Sequence, residues 1–208
     1  MGNRGLVRLS VISAIAVFGS WTVPPQAAWP QATTAPVYND DDHLVLPEGF
    51  ETWVFVGADL GLVYKPEAFA MTSLEAARST PHEVFHNIYI NPEAYEYFRA
   101  NKEFPDPTIL VMEEFEANDK DPDGVLARGV FEDTRVGLEV AVKNSARPDD
   151  SPTPWAYYVF MSSFDPTHQL AQAAEARPDG SCFNCHDLHA SKDNVWVQFY
   201  PTLRKLLD

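Results

Sequence analysis

The stretch Val84-Phe-His-Asn-Ile-Tyr-Ile-Asn-Pro-Glu-Ala-Tyr-Glu-Tyr-Phe-Arg-Ala-Asn-Lys-Glu-Phe-Pro-Asp-Pro-Thr-Ile-Leu-Val-Met-Glu-Glu-Phe115 decides the fold. Val84–Ile90 is rich in β-branched and aromatic residues and reads as a strand. Asn91 and Pro92 follow as an N-cap and a proline at the first helical position. The helix they open carries Ala94, Tyr95, Tyr97 and Phe98 and fades near Lys102. Phe104-Pro-Asp-Pro107 then breaks the chain, and Thr108–Phe115 returns as a strand.

The same grammar extends outward. Thr52–Gly57 reads as a strand on the N-terminal side. On the other side, Gly129–Asp133 and Gly137–Val142 read as two strands of a meander, separated by a few polar residues. Trp155–Met161 is an aromatic strand after the proline-rich loop Ser151-Pro-Thr-Pro154. Thr167–Ala176 repeats alanine without a breaker and reads as helix. A short helix over Cys182–His189 and a strand over Val195–Tyr200 complete the pattern. Sequential strands with short connections predict an α+β fold, mostly antiparallel β-sheet with a few short helices, in a single domain.

Composition narrows the class. The 208 residues are 45% hydrophobic and 12% aromatic, enough for a real core without disulfide staples. Fifteen Lys and Arg face thirty Asp and Glu, a formal charge of −15, which excludes a phosphate-binding footprint and hence nucleic acid. Two readings of the acidity stand: a solvated surface, or steering of a basic redox partner protein.

Residues 1–28 read as a signal peptide. Arg4 and Arg8 form a basic start, the apolar run Val11–Phe18 is too short to span a bilayer, and Ala27-Ala28 supplies small residues for cleavage. The expected product is exported and periplasmic, with no membrane span in the mature chain. Residues 29–49, with Pro30, Pro36, Pro47 and the run Asp40-Asp41-Asp42, read as a linker, which leaves residues 50–208 as the working domain.

Chemistry concentrates in Ser181-Cys182-Phe183-Asn184-Cys185-His186. C-x-x-C-H is the attachment signature of c-type haem. On a short helix, positions i, i+3 and i+4 share a face, so Cys182, Cys185 and His186 converge. Two thiols can then add to the haem vinyl groups while His186 ligates the iron. The Ser181 hydroxyl or the Asp179 carboxylate is expected to cap this turn. Three rivals are weaker: a C-x-x-C disulfide staples nothing distant, a thioredoxin-like pair belongs at a βα junction, and zinc needs further paired ligands. Only 22 residues follow His186 and none is methionine, so a downstream axial Met cannot occur. Upstream candidates for a sixth ligand are Met71, Met112, Met161, His82, His86 and His168. An open sixth position is the simplest reading.

His86-Asn-Ile-Tyr-Ile-Asn-Pro-Glu-Ala94, Phe104-Pro-Asp-Pro-Thr-Ile-Leu110, Gly137-Leu-Glu-Val-Ala-Val-Lys143, Trp155-Ala-Tyr157, the haem motif and Asp193-Asn-Val-Trp-Val-Gln-Phe-Tyr-Pro201 resemble, in family order, the cytochrome P-460 family. The resemblance runs from about Phe50 to the C-terminus. It implies a mostly antiparallel β fold, commonly a homodimer, with one five-coordinate haem c. The best-known members oxidise hydroxylamine, while related beta-type cytochromes c prime bind nitric oxide or carbon monoxide. Hydroxylamine-oxidising members cross-link a lysine to the macrocycle, and this chain carries Met112 at the corresponding place.

On a strand Leu110, Met112 and Glu114 share a face, so Met112 is a candidate pocket wall, with core packing as the competing reading. His86 shares a face with Val84, Ile88 and Ile90. It is read either as a satisfied core histidine or as a distal polar group with a catalytic part to play. Asp119-Lys-Asp-Pro-Asp-Gly124 opens like a calcium loop. Its twelfth position is Val130 where a bidentate Glu is needed, so a polar hairpin loop is the better reading. The expected function is an exported mono-haem c protein whose open iron binds or oxidises small nitrogen ligands such as nitric oxide or hydroxylamine. A six-coordinate electron carrier is the alternative.

Overall fold

The computed structural model describes residues 35–62, 83–120, 123–125, 127–148, 151 and 153–208. The stretch 1–28 that reads as a signal peptide, Met71, His82 and part of the calcium-like loop lie outside them. The chain enters through β1 (Leu44–Val45), which pairs with β7 (Ala173–Ala174) in a two-stranded sheet. Leu44 is fully buried, so the fold takes in the last part of the stretch whose composition reads as linker.

The main sheet holds β2 (Val54–Leu60), β3 (Val84–Ile90), β4 (Thr108–Asn118), β5 (Phe131–Lys143) and β6 (Trp155–Met161). They lie side by side in chain order and every neighbouring pair is antiparallel, as the alternation of strand signals and short connections predicts. Helix α1 (Pro92–Asn101) crosses from β3 to β4 with proline in its first turn, and the Asn91 side chain accepts from the Ile109 backbone N–H at 2.9 Å. That bond ties the start of the helix to β4.

Apolar residues alternate so that both faces of the sheet are covered. One face carries Ile109, Val111, Leu138, Val140, Tyr158 and Phe160 against Leu44, Phe50 and Trp53. The other carries Ile88, Ile90, Leu110, Trp155 and Tyr157 against Ala94 and Phe98 of α1, and against Val195, Val197 and Leu203 from the C-terminal segment. Each fully buried large side chain contributes about 1.5–3 kcal/mol. The second face also receives Met112, Cys182 and Phe183, and there the site forms.

Three local expectations are corrected. The two strands read at Gly129–Asp133 and Gly137–Val142 are one strand, because the stretch between them stays paired to β4: Arg135 is the register partner of Phe115 and donates to Glu113 at 2.8 Å. Thr167–Ala176 is not helical. Its backbone bonds go to distant partners, with Ala171 N–H donating to the Phe160 carbonyl at 2.8 Å and Leu46 N–H to that of Gln172 at 3.0 Å. Alanine propensity is a weak preference that such pairing overrides. Val195–Tyr200 is a 3₁₀ turn (Val197–Phe199) rather than a strand, and it leads into the short helix α3 (Pro201–Arg204). Helix α2 (Phe183–His189) falls where the haem motif predicts a helix. Among the described residues no helix is long and apolar enough to cross a membrane.

Candidate functional site

A cavity of about 300 Å3 opens on the second face of the sheet. Cys182, Cys185 and His186 line one side of it, and Ile88, Leu110, Met112 and Ala141 supply apolar wall from the strands. The motif helix is set by its approach. The Ser181 hydroxyl donates to the Pro178 carbonyl at 2.7 Å, and Asn184 N–H reaches the Asp179 backbone carbonyl at 3.0 Å. Neither Ser181 nor Asp179 caps the helix through its side chain, contrary to expectation; Cys182 itself sits at the N-cap position.

The chemistry of His186 follows from its two partners. At Nδ1, 2.8 Å away, stands the Asn194 carbonyl, which can only accept. At Nε2, 3.1 Å away, stands the Trp196 indole N–H, which can only donate. The ring is therefore the neutral tautomer with its proton on Nδ1 and a lone pair on Nε2. Burial lowers the His186 pKa to about 4, the Asn194 bond opposing it. Tyr157 lies beside the ring, centroids 4.4 Å apart, and burial keeps its phenol protonated.

The two thiols are free and unlinked. Burial raises the pKa of both, helped at Cys182 by the charge of Glu139. A reactive redox cysteine needs the opposite, a depressed pKa in an electropositive setting, and a βα junction that this antiparallel sheet does not offer. Among the described residues no group of three or more His, Cys, Asp or Glu is arranged to hold a metal ion directly. Two thiols, one imidazole lone pair and a mostly apolar wall fit a covalently held haem. The residues that would hold it are Cys182, Cys185 and His186.

The opposite wall is polar, and register explains how. Asp59, His86 and Glu114 are successive partners across β2, β3 and β4, while Ile88, Met112 and Glu139 form the next row. His86 and Met112 both line the cavity, so the structure brings these two candidates to the haem motif. Met161 packs in the core on the other face, and His168 is not among the cavity residues. His86 Nδ1 lies 2.7 Å from an Asp59 carboxylate oxygen. Burial lowers the His86 pKa, but the Asp59 bond and the charges of Asp59, Glu114 and Glu139 together outweigh it and the net shift is upward. Glu139 is pushed up to about 7, by burial first and then by Glu114.

Glu114 is 6% exposed and lies over Gly137, where an added Cβ would stand 2.6 Å from its carboxyl carbon. Asp59, Glu114, Glu139, Tyr157 and Trp196 were not singled out as site residues from the sequence. The available signal was a charged residue following apolar ones on a strand face, at Glu114 after Leu110 and Met112, and a lone charge at Glu139 between Gly137 and Ala141.

A family model described as cytochrome P460 matches residues 47–197. No curated protein matches the chain significantly. The matched span holds the whole five-stranded sheet, the motif helix and the turn that carries Asn194 and Trp196, and it implies a haem cofactor. By that match, which covers most of its length, the chain belongs to the cytochrome P460 family.

Proposed function

We propose that this chain is an exported, periplasmic mono-haem c-type cytochrome that binds or oxidises small nitrogen ligands, nitric oxide or hydroxylamine, at an open iron position. The observation that carries this reading is the His186 imidazole: neutral, fixed through Nδ1 by Asn194, beside two protonated thiols on a cavity wall, with an Nε2 lone pair that in this structure accepts the Trp196 indole N–H and would exchange that bond for iron. When bound, the haem supplies an iron centre able to hold a small molecule and exchange electrons with an external acceptor. Cys182 and Cys185 would hold its periphery and His186 its iron.

On the far wall, His86 is a hydrogen-bond donor held by Asp59. Burial lowers its pKa, but the Asp59 bond and the charges of Asp59, Glu114 and Glu139 raise it overall, which suits a group that donates to a bound ligand. Glu114 and Glu139 stand ready to take up protons that a reacting N–H or O–H group releases. Met112 cannot form the lysyl bond of the cross-linked relatives, which moves weight toward binding. It also lines the same cavity, so a six-coordinate electron carrier with Met112 on the iron is the second reading. A basic redox partner and a homodimer belong to the proposal as well.

Covalent attachment is tested by intact mass after denaturation. Wild-type protein matured in a host able to attach haem c should retain one haem per chain. Cys182→Ala and Cys185→Ala should each lower retention, and the double variant should lose it. Retention in the double variant would refute attachment through this motif.

A further inference from the structure

Two consecutive residues beside the motif helix, Asp193 and Asn194, have left-handed backbones with φ of 46° and 60°. After glycine, Asp and Asn are the residues that adopt this conformation most readily, and a pair of them suits a tight turn. The turn is closed by Val195 N–H donating to the Lys192 carbonyl at 2.8 Å. A further set of contacts fixes where the turn sits against the sheet.

The holding group is the Asp193 carboxylate. One oxygen accepts from Lys143 Nζ at 2.8 Å and the other from Trp155 Nε1 at 3.0 Å. Lys143 and Trp155 are register partners at the ends of β5 and β6, and Lys143 also donates to the Phe104 carbonyl at 2.9 Å. Trp155 is 1% exposed. Two donors on a rigid sheet edge thus fix both the place and the rotation of a short side chain. Its own backbone is part of the turn, and the next carbonyl, that of Asn194, meets His186 Nδ1 at 2.8 Å.

We propose that Asp193 is the positioning residue of the motif histidine, its carboxylate locking the left-handed turn to Lys143 and Trp155 so that the Asn194 carbonyl sets the tautomer and direction of His186. This rests on the reading of His186 as the iron ligand. Partners of a ligating histidine orient the ring and raise its basicity, and their loss costs about 10–100-fold in binding or activity. Here the group with that duty is a backbone carbonyl, so the side chain that fixes it lies one residue earlier.

The test uses the haem-loaded protein and three variants. Asp193→Gly tolerates the left-handed backbone without strain but cuts the tether. Asp193→Asn keeps an oxygen for Trp155 while losing the charge facing Lys143. Lys143→Met removes the cation and leaves the aspartate. The readouts are the ferrous iron–imidazole stretching band and the release rate of carbon monoxide, with thermal unfolding alongside. Asp193→Gly should lower and broaden the band and change release about tenfold, the lower end of that range. Asp193→Asn should keep most of the wild-type signature, with Lys143→Met between them.

An unchanged band and rate in Asp193→Gly, whatever its melting point, would overturn the assignment and leave Asp193 a structural residue. Should Asp193→Gly not fold, a wild-type signature in Lys143→Met would overturn it instead. Absence of the band from the wild-type protein would overturn the reading of His186 and this inference with it, so the two failures are told apart.

Discussion

Alanine at position 137 should unseat Glu114 and lower stability by about 1–3 kcal/mol, the usual cost of forcing volume into a packed site. The added Cβ would lie 2.6 Å from the Glu114 carboxyl carbon, 2.7 Å from one of its oxygens and 2.9 Å from its Cβ. The last contact cannot be relieved by rotating the far end of the side chain, so β4 or β5 must shift. The effect reaches the cavity. Burial and Glu114 together hold the Glu139 pKa near 7, and a displaced Glu114 should let it fall toward the ordinary carboxylate range. Carboxyl infrared bands followed against pH, with chemical denaturation for stability, check both parts. Unchanged stability together with an unmoved Glu139 titration would contradict the packing described here.

His86→Leu is expected to weaken capture of a bound N–O ligand about tenfold, the equivalent of losing a hydrogen bond from a charged donor worth about 1.5–3 kcal/mol, discounted for partial exposure. The side chains of His86 and Asp59 are 17% and 23% exposed, so solvent screens the pair only in part. The pH dependence has a definite sign. The folded pKa of His86 is raised, so its pairing stabilises fully below about 6.5, its unfolded value, and is lost as pH climbs through the raised value. The stability gap between wild type and His86→Leu should therefore be widest in mild acid and narrow toward alkaline pH. Glu139 acts in the same direction: its folded pKa is also raised, so wild-type stability declines as pH rises toward and past about 7. Nitric oxide release rates and unfolding curves at pH 5.5, 7 and 8.5 (conditions of about these values suffice) measure both effects. Ligand kinetics identical to wild type would remove His86 from the site and return it to the core.

What the residues disclosed in advance was local. Val84–Ile90 and Trp155–Met161 are strands at the bounds their aromatic and β-branched composition sets, and Asn91-Pro92 opens its helix. Cys182, Cys185 and His186 converge because helical spacing alone brings them together. What stayed hidden depends on distant partners. The alanines near 173 pair with Leu44 and Val45, more than a hundred residues away, and local propensity carries no trace of that. Asp59, Glu114 and Glu139 become one wall only through the register of four strands, which a linear reading with uncertain strand ends does not supply. Gly137 looked like a strand start, yet its missing side chain makes room for Glu114. The turn at Asp193 and Asn194 lies just before the stretch read as a strand from Val195; its place is fixed by contacts to β5 and β6.

The central claim, a covalently held haem with His186 on one side of the iron and an open position on the other, meets its most direct test in absorption spectra. The mature protein would be recorded ferric and ferrous, before and after nitric oxide. A five-coordinate high-spin spectrum that converts cleanly on adding the gas is the expected result, and a strongly red-shifted ferrous Soret band would instead reveal a macrocycle cross-link despite Met112. A low-spin six-coordinate spectrum that nitric oxide leaves unaltered would contradict the account and make the chain an electron carrier.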